Sequence, residues 1–271
     1  MTTNQPRISV VTPSFNQASY LERTILSVLN QGYPNLEYII IDGGSTDGSV
    51  EVIRKYEDRL AFWVSETDRG QAHAINKGLL VATGDWVGWQ NSDDIYYPGC
   101  FSSLAAAAAR HAKAGLLIGN MNLLDPSDKV LRDLKYVRPT YYSILAEGMR
   151  LTNQAAFWRK EVHQEIGYFD ESLDCGFDYD WFLRLLRVRR AAHVNRTWGG
   201  LRLHTDTKTA NRQKVFDIEY KRILEGREPS LIVRRFFQLR RLLLTACDGN
   251  IHYVLRGLRN RTTSYLGRRD G

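Results

Sequence analysis

The stretch WQNSDD at residues 89–94 places two adjacent carboxylates, an amide and a hydroxyl directly after an apolar run. Such a group has two interpretations. It is either a polar turn after a buried strand, or a set of oxygen ligands for a cation. Two further acids, Asp42 and Asp68, also stand at or shortly after the end of an apolar segment. The sequence therefore offers several carboxylates at places where a folded chain could gather them.

Apolar, β-branched segments alternate with helical patterns in the first 91 residues, and this alternation predicts how the carboxylates are positioned. The predicted strands are ISVVTPSF (8–15), LEYIIID (36–42), AFWVSE (61–66) and GDWVGWQN (84–91). The alternation of strand and helix favours an α/β fold with a parallel sheet that has helices on both faces. Ligands of such sheets bind beyond the carboxyl ends of the strands. We therefore expect the four predicted strand ends to lie along one edge and WQNSDD to form one wall of a cleft.

The second half of the chain is less regular. Helical patterns appear at 101–114, 141–147 and 177–190, and strand patterns at LLIGNMNLLD and LRLHTD. The length of 271 residues suits one large domain or one domain with an appendage. Three widely spaced cysteines indicate reduced cytosolic thiols rather than disulfides or zinc. Without a leader pattern or an apolar run of membrane-spanning length, we predict a cytoplasmic protein.

The positive charge is concentrated in the tail. Residues 226–271 contain ten arginines and three acids, whereas the rest of the chain is balanced. We therefore divide the chain into a main domain at 1–225 and a basic helical extension at 226–271. Helical spacing puts four apolar side chains on one face of this extension: Ile232, Phe236, Leu239 and Leu243. Such a helix has two interpretations. It either binds peripherally to the anionic inner face of the membrane, or packs on the main domain with its arginines solvated. No nucleic-acid motif accompanies the arginines, so we predict no nucleic-acid partner.

The chain resembles the inverting glycosyltransferases of family 2 over about residues 7–220. The resemblance rests on ordered segments: SVVTPSFNQ, IIIDGGSTDGS, ETDRGQAHAINKGLLVATGD, WQNSDD, NQAAFWRK, IGYFDESL, FDYDWFLRL and LRLHTDTKT. It implies the nucleotide-sugar fold called GT-A, a Rossmann-like α/β fold with a mixed, mostly parallel sheet flanked by helices. It also implies transfer of a sugar from a nucleotide diphosphate donor, with UDP favoured, to a hydroxyl of a glycan or lipid-linked acceptor.

The resemblance implies a metal site at WQNSDD. Asn91-Ser92-Asp93 matches the Asp-x-Asp motif of the family, which makes Asp93 the expected ligand of Mn²⁺ or Mg²⁺ and Asn91 a ribose contact. A cation there would neutralise charge on the leaving diphosphate. Asn91 in place of an acid leaves one carboxylate fewer than usual. His204 matches a position where some relatives supply a further ligand, and imidazole suits Mn²⁺ better than Mg²⁺. The alternative for His204 is a packed structural histidine.

The resemblance also implies a nucleotide site at the other strand ends. Asp42 matches an acid that accepts a hydrogen bond from the base, although it could equally form an Asx-turn before Gly43. The predicted donor contacts are completed by Asp68 and by the backbone of Thr12, Pro13 and Ser14. Arg69 could contact phosphate or form a surface ion pair.

The general base implied by the resemblance is Asp178. The family has an acid and an Asp before a helix, and this chain has Phe177-Asp178 there. A carboxylate opposite the departing diphosphate can take the proton of the acceptor hydroxyl. The alternative is that Asp178, like Asp180, caps the helix. Trp158 and Trp181 could stack on an acceptor sugar, although core packing is the commoner role of tryptophan.

A second hypothesis belongs to another class of protein. The departures at Asn91 and Phe177 from the family pattern are also compatible with a module that binds a nucleotide sugar or a partner without turnover.

Overall fold

A mixed β-sheet forms the centre of the computed structural model, which describes residues 5–205 and 212–257. The order of the hydrogen-bonded strands is β3-β2-β1-β4-β8-β6-β9-β5, and β7 pairs with β6 outside this path. The strands are β1 (Ile8–Ser14), β2 (Leu36–Asp42), β3 (Phe62–Ser65), β4 (Trp86–Trp89), β5 (Ile95–Tyr96), β6 (Ala114–Leu124), β7 (Val130–Leu134), β8 (Ala156–Arg159) and β9 (Arg190–Arg202).

The first four strands confirm the predicted parallel arrangement. β1 pairs in parallel with both β2 and β4, and β2 pairs in parallel with β3. Their carboxyl ends therefore lie at one edge of the sheet. The other half of the sheet is mixed, because β8 runs antiparallel to both β4 and β6, while β6 and β9 are parallel.

Helices cover both faces of the sheet. They are α1 (Ala18–Leu29), α2 (Ser49–Arg54), α3 (Gln71–Val81), α4 (Cys100–Arg110), α5 (Tyr141–Glu147), α6 (Val162–Ile166), α7 (Phe177–Val188), α8 (Gln213–Leu224) and α9 (Leu231–Cys247). Successive side chains of a strand point to opposite faces. Val10 accordingly packs in a core with residues of α1, α2 and α4, and Val11 packs in a second core with residues of α3, α5 and α7.

An aromatic cluster joins α7 to the sheet. Trp89 at the end of β4 contacts Trp158 of β8 and Phe182 of α7, with ring centroids 5.7 and 6.2 Å apart. The Trp158 indole N–H donates to Nε2 of His163 at 2.9 Å. Burial lowers the pKa of His163 to about 4, so the ring is neutral and accepts this bond. The cluster fixes the helix that carries Asp178 against the strand that leads into WQNSDD.

Helix α9 packs against the domain and leaves its apolar face exposed to solvent. Nε of Arg241 in α9 donates to Oε1 of Glu147 in α5 at 2.8 Å, and the Glu147 side chain is almost fully buried. The predicted tail helix is therefore present, and Arg241 faces the domain rather than solvent. The division at residue 225 stays a prediction. In the described part of the chain, no helix combines the length and apolar character needed to span a bilayer.

One expectation needs correction, and three short strands are additional to the prediction. LRLHTD was expected to be a short strand of its own, but LR ends the 13-residue strand β9, and His204 lies beyond the end of that strand. The short strands β5, β7 and β8 were not predicted. Each is two to five residues long, so it contains too little alternation to show a period.

Candidate active site

The ends of β1, β2 and β3 are joined directly by hydrogen bonds. The Gly43 N–H donates to the Ser14 carbonyl at 2.8 Å, and the Glu66 N–H donates to the Asp42 carbonyl at 3.0 Å. Asp68 lies over Gly43 so closely that a Cβ at Gly43 would stand 2.6 Å from Oδ2 of Asp68. Gly43 thus allows the loop after β3 to pack on the end of β2.

The Asp42 carboxylate is fully buried and anchors the turn that follows β2. It accepts hydrogen bonds from the backbone N–H groups of Gly44 and Ser45 at 3.1 and 2.8 Å. It also accepts from the hydroxyls of Ser45 and Ser65 at 2.6 and 2.7 Å. This is the Asx-turn that the sequence allowed as the alternative for Asp42. Its contact with a base stays a prediction.

At the carboxyl end of β1, the side chains of Thr12 and Ser14 are buried and one aromatic ring is exposed. Thr12 and Ser14 are buried, and the Thr12 hydroxyl is bonded to Tyr38 at 3.0 Å. Phe15, which the sequence assigned to a buried strand, is 60% exposed and lies near Gly43. A large exposed ring at the carboxyl edge is a surface on which a planar group can stack. The sequence pattern did not identify Phe15 as an exposed residue, because Phe15 continues the apolar run of β1.

Within WQNSDD, Asn91 forms an internal hydrogen-bonded junction. Its Oδ1 accepts from the Trp89 indole N–H at 3.1 Å and from the Gln71 amide at 2.9 Å. Its Nδ2 donates to Oδ2 of Asp94 at 3.0 Å. The amide side chain therefore links α3, β4 and the turn that contains Asp93 and Asp94, hereafter the acidic turn. Its predicted contact with a ribose stays a prediction.

Asp94 is the inward-facing member of the acidic pair. It is almost completely buried and accepts from the Gln154 amide at 2.6 Å and from the backbone N–H of Arg202 at 3.0 Å. Burial, and after it the negative charge of Asp93, hold the pKa of Asp94 well above its usual range. Asp93 is consequently the carboxylate of the pair with exposed surface that can meet a cation.

Asp93 and His204 meet although they are 111 positions apart in the chain. Oδ2 of Asp93 lies 3.0 Å from Nε2 of His204, and the two side chains are 19% and 3% exposed. Tyr20 stacks on the His204 ring, with centroids 4.5 Å apart. Among residues 5–205 and 212–257, no group of three or more His, Cys, Asp or Glu side chains is arranged to hold a metal ion. The predicted metal ligands are thus one adjacent carboxylate–imidazole pair.

Arg202 ties this pair to the rest of the sheet. Its side chain is fully buried, and its guanidinium donates to the Asp128 carboxylate and to the backbone carbonyl of Asp93. Arg23 reaches the same Asp128 from α1 at 3.0 Å. Sequence reasoning did not single out Arg202, because its partners lie 74 and 109 positions away.

Asp178 occupies the first turn of α7, where its Oδ1 accepts from the Tyr179 N–H at 2.7 Å. Asp180 is not a cap, because it pairs with Nε of Arg184 one turn further along the helix at 2.8 Å. Arg69 forms the ion pair that was the alternative to a phosphate contact, with Oε2 of Glu171 at 2.6 Å.

The expectation for Trp158 and Trp181 is wrong. Neither side chain has exposed surface, and their rings lie 4.6 Å apart inside the aromatic cluster. They are core residues, and no face of either ring is available to an acceptor sugar.

Comparison with known proteins places this arrangement in a family. The family model described as "Glycosyl transferase family 2" matches residues 9–166, which span the strand ends and WQNSDD. The chain belongs to this family. The predictions that the chain belongs to glycosyltransferase family 2, adopts a GT-A fold and is a glycosyltransferase are confirmed.

The curated relatives support the same assignment. An uncharacterized glycosyltransferase of Rickettsia typhi is 27% identical over 249 residues, which cover 83% of this chain and 72% of the relative. One from Mycobacterium tuberculosis is 31% identical over 189 residues, covering 69% and 71%. The chain spans only 32% of a relative from Rickettsia felis, which is 29% identical over 68% of this chain.

Solved structures share the fold. TarS 1–349 of Staphylococcus aureus in complex with UDP-GlcNAc has a TM-score of 0.67 at 16% identity, covering 86% of this chain and 71% of the TarS 1–349 chain. The mannosyltransferase PcManGT of Pyrobaculum calidifontis, in complex with GDP-Man and Mn²⁺, has a TM-score of 0.63 at 20% identity, covering 99% and 80%.

Replacement of Arg202 should destabilise the protein strongly. Arg202→Ala leaves a cavity in place of a fully buried side chain and removes the guanidinium that donates to the Asp93 carbonyl and to the Asp128 carboxylate, which together should cost about 2–5 kcal/mol in the free energy of unfolding. Arg23→Ala removes the exposed partner of the same carboxylate and should cost about 1 kcal/mol or less. Urea unfolding of the two variants measures both values, and equal losses would contradict the role assigned to Arg202.

Proposed function

We propose that this chain transfers a sugar, with inversion, from a nucleotide diphosphate donor to a hydroxyl of a glycan or lipid-linked acceptor. The observation that carries the proposal is the pairing of Asp93 with His204 beside the carboxyl ends of the parallel strands. UDP is the favoured nucleotide, in keeping with the UDP and UDP-GlcNAc complexes of TarS, whereas the PcManGT structure is a complex with GDP-Man.

The name of one relative bears on the class of acceptor. A putative teichuronic acid biosynthesis glycosyltransferase, TuaG of Bacillus subtilis, is 42% identical to this chain over 97 residues, which cover 35% of the chain. Its name is consistent with a polysaccharide acceptor for this protein.

Asp93 and His204 fit a divalent cation, Mn²⁺ or Mg²⁺. They provide one carboxylate oxygen and one imidazole nitrogen at adjacent positions, and imidazole favours Mn²⁺ of the two. The cation would neutralise charge on the diphosphate leaving group. The hydrogen bonds of Asn91, Gln154 and Arg202 to Asp94 hold the turn that presents Asp93. Asp42, Asp68 and the backbone at Thr12, Pro13 and Ser14 complete the proposed donor site.

Asp178 is the proposed general base. As the acceptor oxygen attacks the anomeric carbon and the bond to the diphosphate breaks, the carboxylate takes the proton of the acceptor hydroxyl. Such positioned proton transfer typically contributes about 10²–10⁴-fold in rate. Attack from the face opposite the diphosphate inverts the configuration at the anomeric carbon.

Asp178→Asn should lower kcat by roughly 10²–10⁴-fold with donor binding little changed, because an amide cannot accept the proton. The matched control is Asp180→Asn in the same helical turn, which should retain near-normal kcat. Turnover is measured as nucleoside diphosphate release with Mn²⁺ over a panel of donors and acceptors. Near-normal kcat in Asp178→Asn would remove Asp178 from the base role. No release by the unmodified protein with any pair would favour the alternative, a module that binds without turnover.

Asp93→Ala should abolish the metal-dependent part of donor affinity, because the exposed carboxylate of the pair is lost. Calorimetric titration of UDP with and without Mn²⁺ measures this difference. Asp58→Ala, a change at an exposed carboxylate of the turn before β3, is the control and should behave as the unmodified protein does. Metal-dependent affinity that survives in Asp93→Ala would contradict the metal site.

The outward face of α9 is proposed to lie on an anionic membrane surface. Its row of Ile232, Phe236, Leu239 and Leu243 is 58–81% exposed, opposite the face that packs on the domain through Arg241. A contiguous exposed apolar row marks an interaction site. Arginines of the same helix flank the row and attract anionic headgroups. This peripheral contact would bring the protein to the inner face of the membrane, where a lipid-linked acceptor is accessible.

The double variant Phe236→Ser and Leu243→Ser should reduce sedimentation with anionic vesicles, because it removes apolar contact while leaving the arginines and the packed face in place. Hydrolysis of the donor alone should not change. The control is Gln238→Ser, outside the apolar row. Undiminished binding of the double variant to phosphatidylglycerol vesicles would refute the membrane contact.

A further inference from the structure

The backbone that leads into α7 is held by a carboxylate from another helix. Glu219 of α8 accepts from three successive backbone N–H groups: Asp174 at 2.8 Å, Cys175 at 2.8 Å and Gly176 at 2.6 Å. Successive N–H groups of this kind form a concavity that binds an anion. The positive end of the α7 dipole adds to the attraction. Glu219 therefore sits in a strong, charge-assisted cap.

The start of α7 needs this cap because its own N-cap residue is Gly176, which has no side chain to offer. Of the two acids in the first turn, Asp180 is engaged with Arg184. The anionic cap is thus contributed by a residue 43 positions after Gly176.

Three further contacts fix α8 on the start of α7. Tyr220 stacks on Tyr179 with ring centroids 4.3 Å apart and planes only 2° from parallel. Ile223 is buried against Gly176, where a Cβ would stand 2.9 Å from Cδ1 of Ile223. Arg212, just before α8, forms an ion pair with Asp174. Glu219 consequently reaches the N–H groups from a rigid position.

We propose that Glu219 is a positioning residue for Asp178, an inference that rests on the proposed role of Asp178 as general base. Asp178 comes two residues after Gly176, so the place and direction in which α7 begins determine where its carboxylate points. Glu219 itself moves no proton. Its carboxylate holds the three N–H groups and with them the first turn of the helix. A misplacement of about 1 Å in a catalytic group can cost about 10²-fold in rate.

Glu219→Ala should lower kcat by about 10- to 100-fold, because the first turn of α7 is no longer held. The KM and the calorimetric affinity for the nucleotide donor should stay within about twofold, because the strand ends do not change. Glu219→Gln keeps a neutral acceptor at the same place and should recover part of the loss. The control is Asp217→Asn, an exposed acid of α8 that bonds only to Gln213 among the described residues and should leave kcat unchanged.

Repetition of the change in the Asp178→Asn background separates positioning from general structural damage. Once the base is absent, its position no longer matters, so Glu219→Ala should cause little further loss of kcat. A loss of the same size in both backgrounds would overturn the inference. So would unchanged kcat of Glu219→Ala in the otherwise unmodified protein. If Glu219→Ala does not fold, Glu219→Gln is used for the same comparison with the same two outcomes.

The failure of this inference is distinguishable from failure of the proposed function. The proposed function fails when the unmodified protein shows no turnover, or when Asp178→Asn is as active as the unmodified protein. The inference on Glu219 fails alone when turnover depends on Asp178 and is indifferent to Glu219.

Discussion

The acidic turn depends on one buried carboxylate. Asp94 has almost no contact with solvent, and a buried charge or polar group is costly unless it is hydrogen-bonded. The bonds that satisfy it come from Asn91 in the same turn, from Gln154 before β8 and from the backbone of Arg202 at the end of β9. These segments are distant in sequence, and Asp94 joins them at one point. Asp93 is presented outward because Asp94 is held inward.

A second constraint connects this turn to the proposed base. Trp89, which ends β4, donates its indole N–H to Asn91 and packs its ring against α7. The same aromatic cluster buries Trp158 and Trp181, which explains why neither is available to a ligand. Movement of α7 relative to the acidic turn would disturb close ring contacts in a densely packed interior. The donor and base sides of the proposed active site are therefore connected by closely packed side chains, and Glu219 accepts hydrogen bonds from the backbone at the start of α7.

The two faces of helix α9 differ in their surroundings. The face with Arg241 and the buried Thr245 holds the helix on the domain, whereas the opposite row of apolar side chains stays in solvent. A helix fully committed to the domain would bury that row, because burial of apolar surface is the main driving force of packing. The two alternatives that the sequence left open are thus compatible with each other: the helix packs on the domain and leaves exposed the apolar row that is proposed to contact a membrane.

Much of the fold follows from local pattern. The predicted bounds of β2 and α5 agree with the structure, and β1, β3, β4 and α7 differ by a few residues at their ends. β-branched runs and helical periodicity are properties of short segments, so they are visible in the sequence itself. The parallel order of the first strands also places their polar ends at one edge, and this was predictable from the alternation of strand and helix.

The direction of each side chain at that edge was decided only by the tertiary structure. Asp42 ends β2, and Asp93 and Asp94 follow β4. The Asp93 carboxylate keeps exposed surface, whereas the hydrogen-bond partners of Asp42 and Asp94 hold these two carboxylates in the interior of their turns. Arg202 and Glu219 gave no local signal, since their partners lie tens of residues away. The sequence by itself determined which elements form and which acids reach the edge of the sheet. Which acid faces a ligand depends on hydrogen bonds and burial that exist only when distant segments are packed together.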